Sequence, residues 1–562
     1  MRAMASNGQG LAFSVYPFLG TLPFPEFARP RYNPANHPIG IAFSGGGTRS
    51  MSLSIGQARS LVAQGLIDKT GAISCVSGGS WFGSIFSFVD ASAYPDSTLL
   101  GPQIPPGQLY AGSASDSNPA NINYVAPGFM GTPITTFTNG NISFYFAWFA
   151  YELASSQPWK IYSRILGQEL LYPYKLDGTG SSLPPWNNLL SKLLAVDASA
   201  VAALIRANPS LKPHDFLLPQ TNRPFFIANG SYAPASNSLN LFQFEYTPMY
   251  TGTPQALPHL EALEIPEHLA DQLPPRPESA APTGGLGYIE TAGFDSADPK
   301  VGGANAQAIL NPLPFTLSDV IGSSGAAPGS YLDVLGIKTL FSEFNTWPVT
   351  NGSPAVNFSS IVDGGDLENT GIVSLLRRQY PVIYVFINTD DVLGDMSYYP
   401  YQGVDSTVCA LFGIGYGPAL KSTKIFETSE FNQVKNNFIQ TYSNGGIPWS
   451  LNVHTIVKDN PFGIASYANG KKPVVLWMYN ALNRTWYDQL KPSVQKYINP
   501  QPATGNFPTY ETVFQNPSSL PGINELLMFT PAQVNLMANM WDYSLTYDLE
   551  LKNALTGAFS QP

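Results

Sequence analysis

The chain has 562 residues, of which 44% are hydrophobic, 12% charged and 13% aromatic, with 50 glycines and 50 prolines. That apolar content excludes a disordered chain, and a charged fraction far below the usual share of about a quarter implies a loop-rich globular surface. A net charge of −10 with a pI near 5.0 excludes the basic footprint that nucleic acid or an anionic membrane selects.

Two cysteines, Cys75 and Cys409, make no disulfide framework and leave the compartment open. The N-terminal residues lack the apolar core of a signal peptide, and no apolar run approaches the roughly 18 residues of a membrane span. A soluble protein is therefore expected, cytoplasmic or exported without a visible signal.

In chain order, 39–43 (IGIAF) predicts a short buried strand running into Ser44-Gly45-Gly46-Gly47. Leu53, Ala58, Leu61, Val62 and Leu66 then recur at helical spacing, with Gly65 near the end of that helix. Ile73 to Val76 predict a second strand, followed at once by Ser77-Gly78-Gly79-Ser80 and by Trp81, Ile85, Phe86 and Val89 at helical spacing. Strand, glycine turn, helix, strand, tight turn, helix is the alternation of an α/β layered fold. Residues 91–140, dense in Pro, Gly, Ser and Tyr, and the Pro-rich 253–287 are expected to be insertions or lids. Further strands are expected at 224–228, 241–246, 381–387 and 474–479. A last helix is expected to start from a Thr530 cap, with Pro531 in its first turn. The motifs below lie far apart and must meet in one site, so 1–562 is taken as one catalytic domain.

Three segments carry chemistry. Val76-Ser77-Gly78-Gly79, between strand and helix, forces a serine onto a tight turn. There its hydroxyl projects from the backbone, and the next amide and the helix N-terminus face the anion formed on attack. Cys75 stands where the G-x-S-x-G pattern has its first glycine. Ser44 to Gly47 can aim several backbone N–H groups at one oxygen, as an oxyanion hole requires. The Gly-Lys-Ser/Thr ending of a P-loop and the G-x-G-x-x-G of a dinucleotide site are both missing. Arg49 just downstream suits bidentate phosphate binding, and equally an ion pair or a solvent-facing helix position. Ile361-Val362-Asp363-Gly364-Gly365 ends an apolar run in a carboxylate on a Gly-Gly turn, also a common structural turn.

Together SGGGTRSM (44–51), VSGGSW (76–81) and VDGGDLENTGIVSLL (362–376) resemble the patatin-like and cytosolic phospholipase A₂ group, and most closely its lysophospholipase (phospholipase B) branch. FEYTP (244–248), GSSGAAPG (322–329) and YVFINTDD (384–391) fall in the matching order. The resemblance covers 39 to about 391 and leaves the packing of 392–562 open. It implies a three-layer α/β/α hydrolase with a central, mostly parallel sheet and large lid insertions. It implies Ser77 as nucleophile and Asp363 as sole base, buried and within hydrogen-bond reach. Gly45, Gly46, Gly47 and Gly78 would form the oxyanion hole, and Arg49 would meet the substrate phosphate. The substrate would be a phospholipid or lysophospholipid, with no metal or cofactor and no calcium-driven membrane recruitment.

Two functions outside this chemistry stay open on the residues alone: acyl transfer to an acceptor other than water, and catalytically silent lipid binding. A Ser-His-Asp triad would have to draw on His37, His214, His259, His268 or His454, of which only His454 borders an apolar segment. The aromatic run 144–151 and the 91–140 stretch are the candidate contacts with a membrane or micelle.

Overall fold

The computed structural model describes residues 10–16, 20, 22–136, 158–177, 192–233, 241–254, 286–311, 314–326, 342–395, 403–415, 423–498, 506–510 and 529–558. The run 144–151, most of 253–287, and 327–329 of the GSSGAAPG segment lie outside these residues.

Among the described residues fourteen strands form one sheet: β1 (Leu11–Tyr16), β2 (Ile39–Phe43), β3 (Thr70–Val76), β4 (Phe225–Ala233), β5 (Phe242–Tyr246), β6 (Tyr250–Thr253), β7 (Gly287–Glu290), β8 (Ala297–Gly302), β9 (Asn305–Ile309), β10 (Glu343–Thr346), β11 (Asn357–Asp363), β12 (Val382–Ile387), β13 (Trp449–Val453) and β14 (Val474–Tyr479). The spatial order is β8-β9-β1-β7-β6-β5-β4-β3-β2-β12-β14-β13, with β10 paired to β11 and β11 to β4. The centre, β4-β3-β2-β12-β14, is wholly parallel. Antiparallel strands widen it on both sides.

Parallel strands buried on both faces read as continuous apolar runs, and here alternate side chains feed two separate cores. Ile39, Ile41 and Phe43 of β2 and Tyr384 and Phe386 of β12 enter one core. Ala42, Ile383, Val385 and Ile387 enter the other. Helices that supply the first core include α1 (Gly47–Ala63), α2 (Gly78–Phe88) and, late in the chain, α7 (Pro531–Tyr547). The second core takes α4 (Ile372–Arg377), α5 (Ser406–Leu411) and α6 (Phe431–Ser443), while α3 (Leu317–Ser324) lies against α2 and β4. Helix α7 begins at the predicted cap, where the Thr530 side chain accepts from Gln533 N–H and the Gln533 side chain reaches back to Thr530 N–H.

Residues 91–136 hold little regular structure, yet they bury Leu99, Leu100, Leu109, Ile122, Phe129 and Ile134. Asn535 and Asn539 of α7 donate to their carbonyls at Ile122, Tyr124 and Ile104. The C-terminal part is integral to the sheet: β14 pairs residue for residue with β12. Among the described residues no helix is long and apolar enough to cross a membrane.

One feature of the sheet positions the site. On a single edge of β4, residues 225–229 pair with β3, ending at Val76 opposite Asn229. The same edge from Gly230 onward pairs with β11, which runs the other way and ends at Asp363 opposite Gly230. β3 and β11 therefore meet head to head, one strand step (about 3.3 Å) apart along β4.

Candidate active site

β3 must turn at once into α2, and Ser77 takes that turn alone, at φ 51° and ψ −123°. A non-glycine residue in this region costs on the order of 1–3 kcal/mol and persists only where its surroundings over-determine it. They do so here. The Ser77 carbonyl accepts from Ser80 N–H at 2.8 Å and Ser80 Oγ at 2.6 Å. Its N–H donates to Ser324 Oγ at 3.2 Å, and that hydroxyl donates to the Asn229 carbonyl at 2.6 Å. Ser77 is 7% exposed.

The glycine loop packs directly on this turn. Gly46, at φ 129°, is the N-cap of α1, and Gly47 follows at φ 51°. A β-carbon on Gly78 would fall inside the Gly47 carbonyl, and one on Gly79 would lie 2.5 Å from the Phe43 carbonyl oxygen. Only glycines permit the approach, so the N-termini of α1 and α2 converge. First-turn amides have no acceptor in their own helix and carry the positive end of its dipole. Gly45 differs from its neighbours: its N–H is committed to Asn369, at 3.0 Å from the carbonyl and 3.1 Å from Oδ1.

Asp363 is 2% exposed. Its Oδ1 accepts from Gly365 N–H at 2.7 Å, closing the turn. A β-carbon on Gly364 would sit 3.1 Å from Val76 Cγ1, so this turn touches the end of β3. Asn369 bridges the two halves. A β-carbon on Gly45 would lie 3.1 Å from Ser77 Cβ and overlap Asn369 Oδ1; one on Gly365 would lie 2.7 Å from the same Oδ1 and 3.1 Å from Asp363 Oδ1. Ser77, Asp363, Gly45, Gly47 and Gly78 thus share one corner. The expected hydrogen bond from the Ser77 hydroxyl to Asp363 is not among those the described residues form. Asn369, Ser324 and Asn229 were not singled out by the sequence. Asn369 stands inside the 362–376 motif, but only the fold turns its oxygen toward Gly45.

Arg49 is not solvent-facing. It is buried, with Nε donating to Asn388 O at 2.8 Å, Nη1 to Tyr510 O at 2.6 Å, and Nη1 lying 3.3 Å from Asp390 Oδ2. Beyond Asp390, burial, and then the charges of Asp405 and Asp390, push the Asp391 carboxyl up to about 7.

Cys75 faces the first core, where Gly83, in the second turn of α2, makes room for it: a β-carbon there would come 2.5 Å from Sγ. The departure from glycine at 75 is thus matched by a glycine at 83. His454 is fully buried and uses both ring nitrogens, Nδ1 with Glu430 at 2.8 Å and Nε2 accepting from Trp477 Nε1–H at 2.9 Å. Burial lowers its pKa against the pull of Glu430. A second proton on Nε2 would confront the indole N–H, so this ring is a neutral structural tie. Among the described residues no group of three or more His, Cys, Asp or Glu is placed to hold a metal.

No family model matches the chain, and no curated protein matches it. Among solved structures it is similar to human GIVD cytosolic phospholipase A2, at TM-score 0.41 and 13% identity over 93% of this chain and 60% of that one. The same human protein in complex with methyl gamma-linolenyl fluorophosphonate gives TM-score 0.43 and 13% identity, over 95% and 60% of the two chains. The chain thus spans about 60% of the length of these structures.

Proposed function

We propose that the protein is a serine acyl hydrolase acting on lipid esters, with Ser77 as nucleophile and Asp363 as base. The observation that carries this reading is the strained Ser77, held at the head-to-head meeting of β3 and β11 and against a glycine loop at two helix N-termini. A backbone outlier so thoroughly braced argues from strain to function.

In this reading Asp363 takes the proton from the Ser77 hydroxyl as Oγ attacks the ester carbonyl. The tetrahedral oxyanion is held by amides of the 46–47 and 78 positions. Gly45 is left to brace the loop, since its N–H already serves Asn369. Collapse expels the alcohol with the proton from Asp363, and water, deprotonated by Asp363, then cleaves the acyl-enzyme. With substrate bound, the Ser77 hydroxyl would donate to the Asp363 carboxylate, a catalytic hydrogen bond of the kind that commonly tightens in the complex. The motif resemblance favours the lysophospholipase branch, a phospholipid or lysophospholipid substrate, and the helices on both sheet faces as that family's three layers.

A silent lipid-binding protein of the same fold is the competing reading. An alkyl fluorophosphonate separates the two: covalent labelling at Ser77, lost in Ser77→Ala, supports the hydrolase, and an unlabelled Ser77 supports the binding protein. Ester hydrolysis by a His454→Ala variant should persist. Loss there, with activity retained in Asp363→Ala, would replace the dyad by a triad.

A further inference from the structure

We propose that Arg49 is a positioning residue for the glycine loop, not the receptor for a substrate phosphate that the resemblance implies. The inference rests on the hydrolase reading, because it takes the loop at 46–47 as the oxyanion site.

Arg49 is the third residue of α1, where a cation opposes the helix dipole. What compensates is a set of acceptors from two distant segments, at Asn388, Tyr510 and Asp390. The guanidinium they fix lies under the loop: a β-carbon on Gly46 would meet Arg49 Nη2 at 2.7 Å and Asn388 O at 2.9 Å. Asn388 binds the other end of the same loop. Its N–H donates to Ser44 Oγ at 2.7 Å, its Nδ2 to Ser50 Oγ at 3.1 Å, and its Oδ1 accepts from Gln57 Nε2 at 2.8 Å. Arg49 and Asn388 together fix the height and tilt of Gly46 above β12. An arginine fork satisfies two carbonyls and a carboxylate at once, which an ammonium on a flexible stem cannot reproduce. A phosphate approaching this guanidinium, whose side chain is only 4% exposed, would have to compete with Asp390 for it.

The test compares p-nitrophenyl butyrate, which carries no phosphate, with a lysophosphatidylcholine in wild type, Arg49→Lys, Asp390→Asn and Ser77→Ala. A displaced oxyanion loop loses rate whatever the head group, so Arg49→Lys should lower kcat about tenfold or more on both substrates, with KM changed less than about twofold. Asp390→Asn, which keeps both carbonyl anchors, should cost less than about fivefold, equally on both. The proposal is overturned if Arg49→Lys hydrolyses p-nitrophenyl butyrate at the wild-type rate while KM for the lysolipid rises, or if Asp390→Asn selectively lowers the lysolipid KM. If Arg49→Lys fails to fold, the Asp390→Asn arm decides. Wild-type activity in Ser77→Ala would defeat the hydrolase reading itself, and that result is distinct from either outcome at Arg49.

Discussion

Around Arg378, Glu26, Glu245 and Tyr250 close on one guanidinium, all fully buried, at 2.7 to 3.0 Å. Around Ser77, glycines close on one strained backbone turn. The first cluster satisfies every strong charge with several partners, and an ion pair so complete has nothing left to offer a substrate. The second withholds satisfaction. Its serine sits in an unfavourable backbone region, its hydroxyl donates to no described residue, and glycines without side chains pack directly against the turn. The contrast teaches where to look for chemistry in a polar interior: at a strained turn closed in by glycines, not at the strongest ion pairs.

That contrast can be broken at either end. The largest effect is expected from Gly78→Ala, whose methyl would enter the Gly47 carbonyl and push apart the two helix N-termini. Misplacing such donors costs about 10²-fold or more in kcat, and steady-state kinetics on a soluble ester would show it. Arg378→Met should do the reverse. It strands two buried carboxylates, costing about 3–5 kcal/mol in urea-induced unfolding, while kcat per folded molecule stays near wild type. A dead but stable Arg378 variant would mean the two clusters are not separate.

Smaller effects sharpen the boundary. Gly83→Ala drives a methyl against Cys75 Sγ and should cost about 1–3 kcal/mol by overpacking. Adding Cys75→Ala should restore most of that loss, a non-additivity that denaturant midpoints would reveal. The smallest concerns pH. Asp391 holds its proton in the folded state up to about 7, whereas an unfolded aspartate releases it near 4. Between those values the unfolded chain is the more ionised, so this group makes the protein less stable as pH rises from about 4 through 7. Asp391→Asn should flatten that slope in thermal melts from pH 4 to 7.5, and an unchanged slope would remove Asp391 from the account.

The parallel centre of the fold was legible because its strands contain short apolar runs, such as 39–43, 73–76, 382–387 and 474–479, bounded by glycine, serine, proline or asparagine. Residues 39–43 and 474–479 form strands over those same spans, and the predicted Thr530 cap is in place. On the antiparallel flank β5 forms where the apolar run 241–246 predicts it, whereas β8 (ADPKVG) and β9 (NAQAI) were not legible, since they bury only small apolar residues at alternate positions. At the site, the serine turn and the glycine loop declared themselves by spacing. Asn369 and Ser324 did not: an asparagine or a serine beside a motif has no local signature, and each acquires its role only when α3 and the 364–371 turn are folded onto β4. Arg49 carried a signal that was open to several readings. Its depth under Gly46 depends on carbonyls 339 and 461 residues away, which no local pattern encodes.

On the proposed reading Ser77 and Asp363, brought to the meeting of β3 and β11, act as one unit, and a double-mutant cycle on ester hydrolysis reads that unity directly. Residues acting together are grossly non-additive, so Ser77→Ala, Asp363→Ala and the double variant should all fall by a similar factor, about 10⁴-fold or more. Losses that multiply in the double variant, or an Asp363→Ala protein that hydrolyses ester as fast as wild type, would contradict the account.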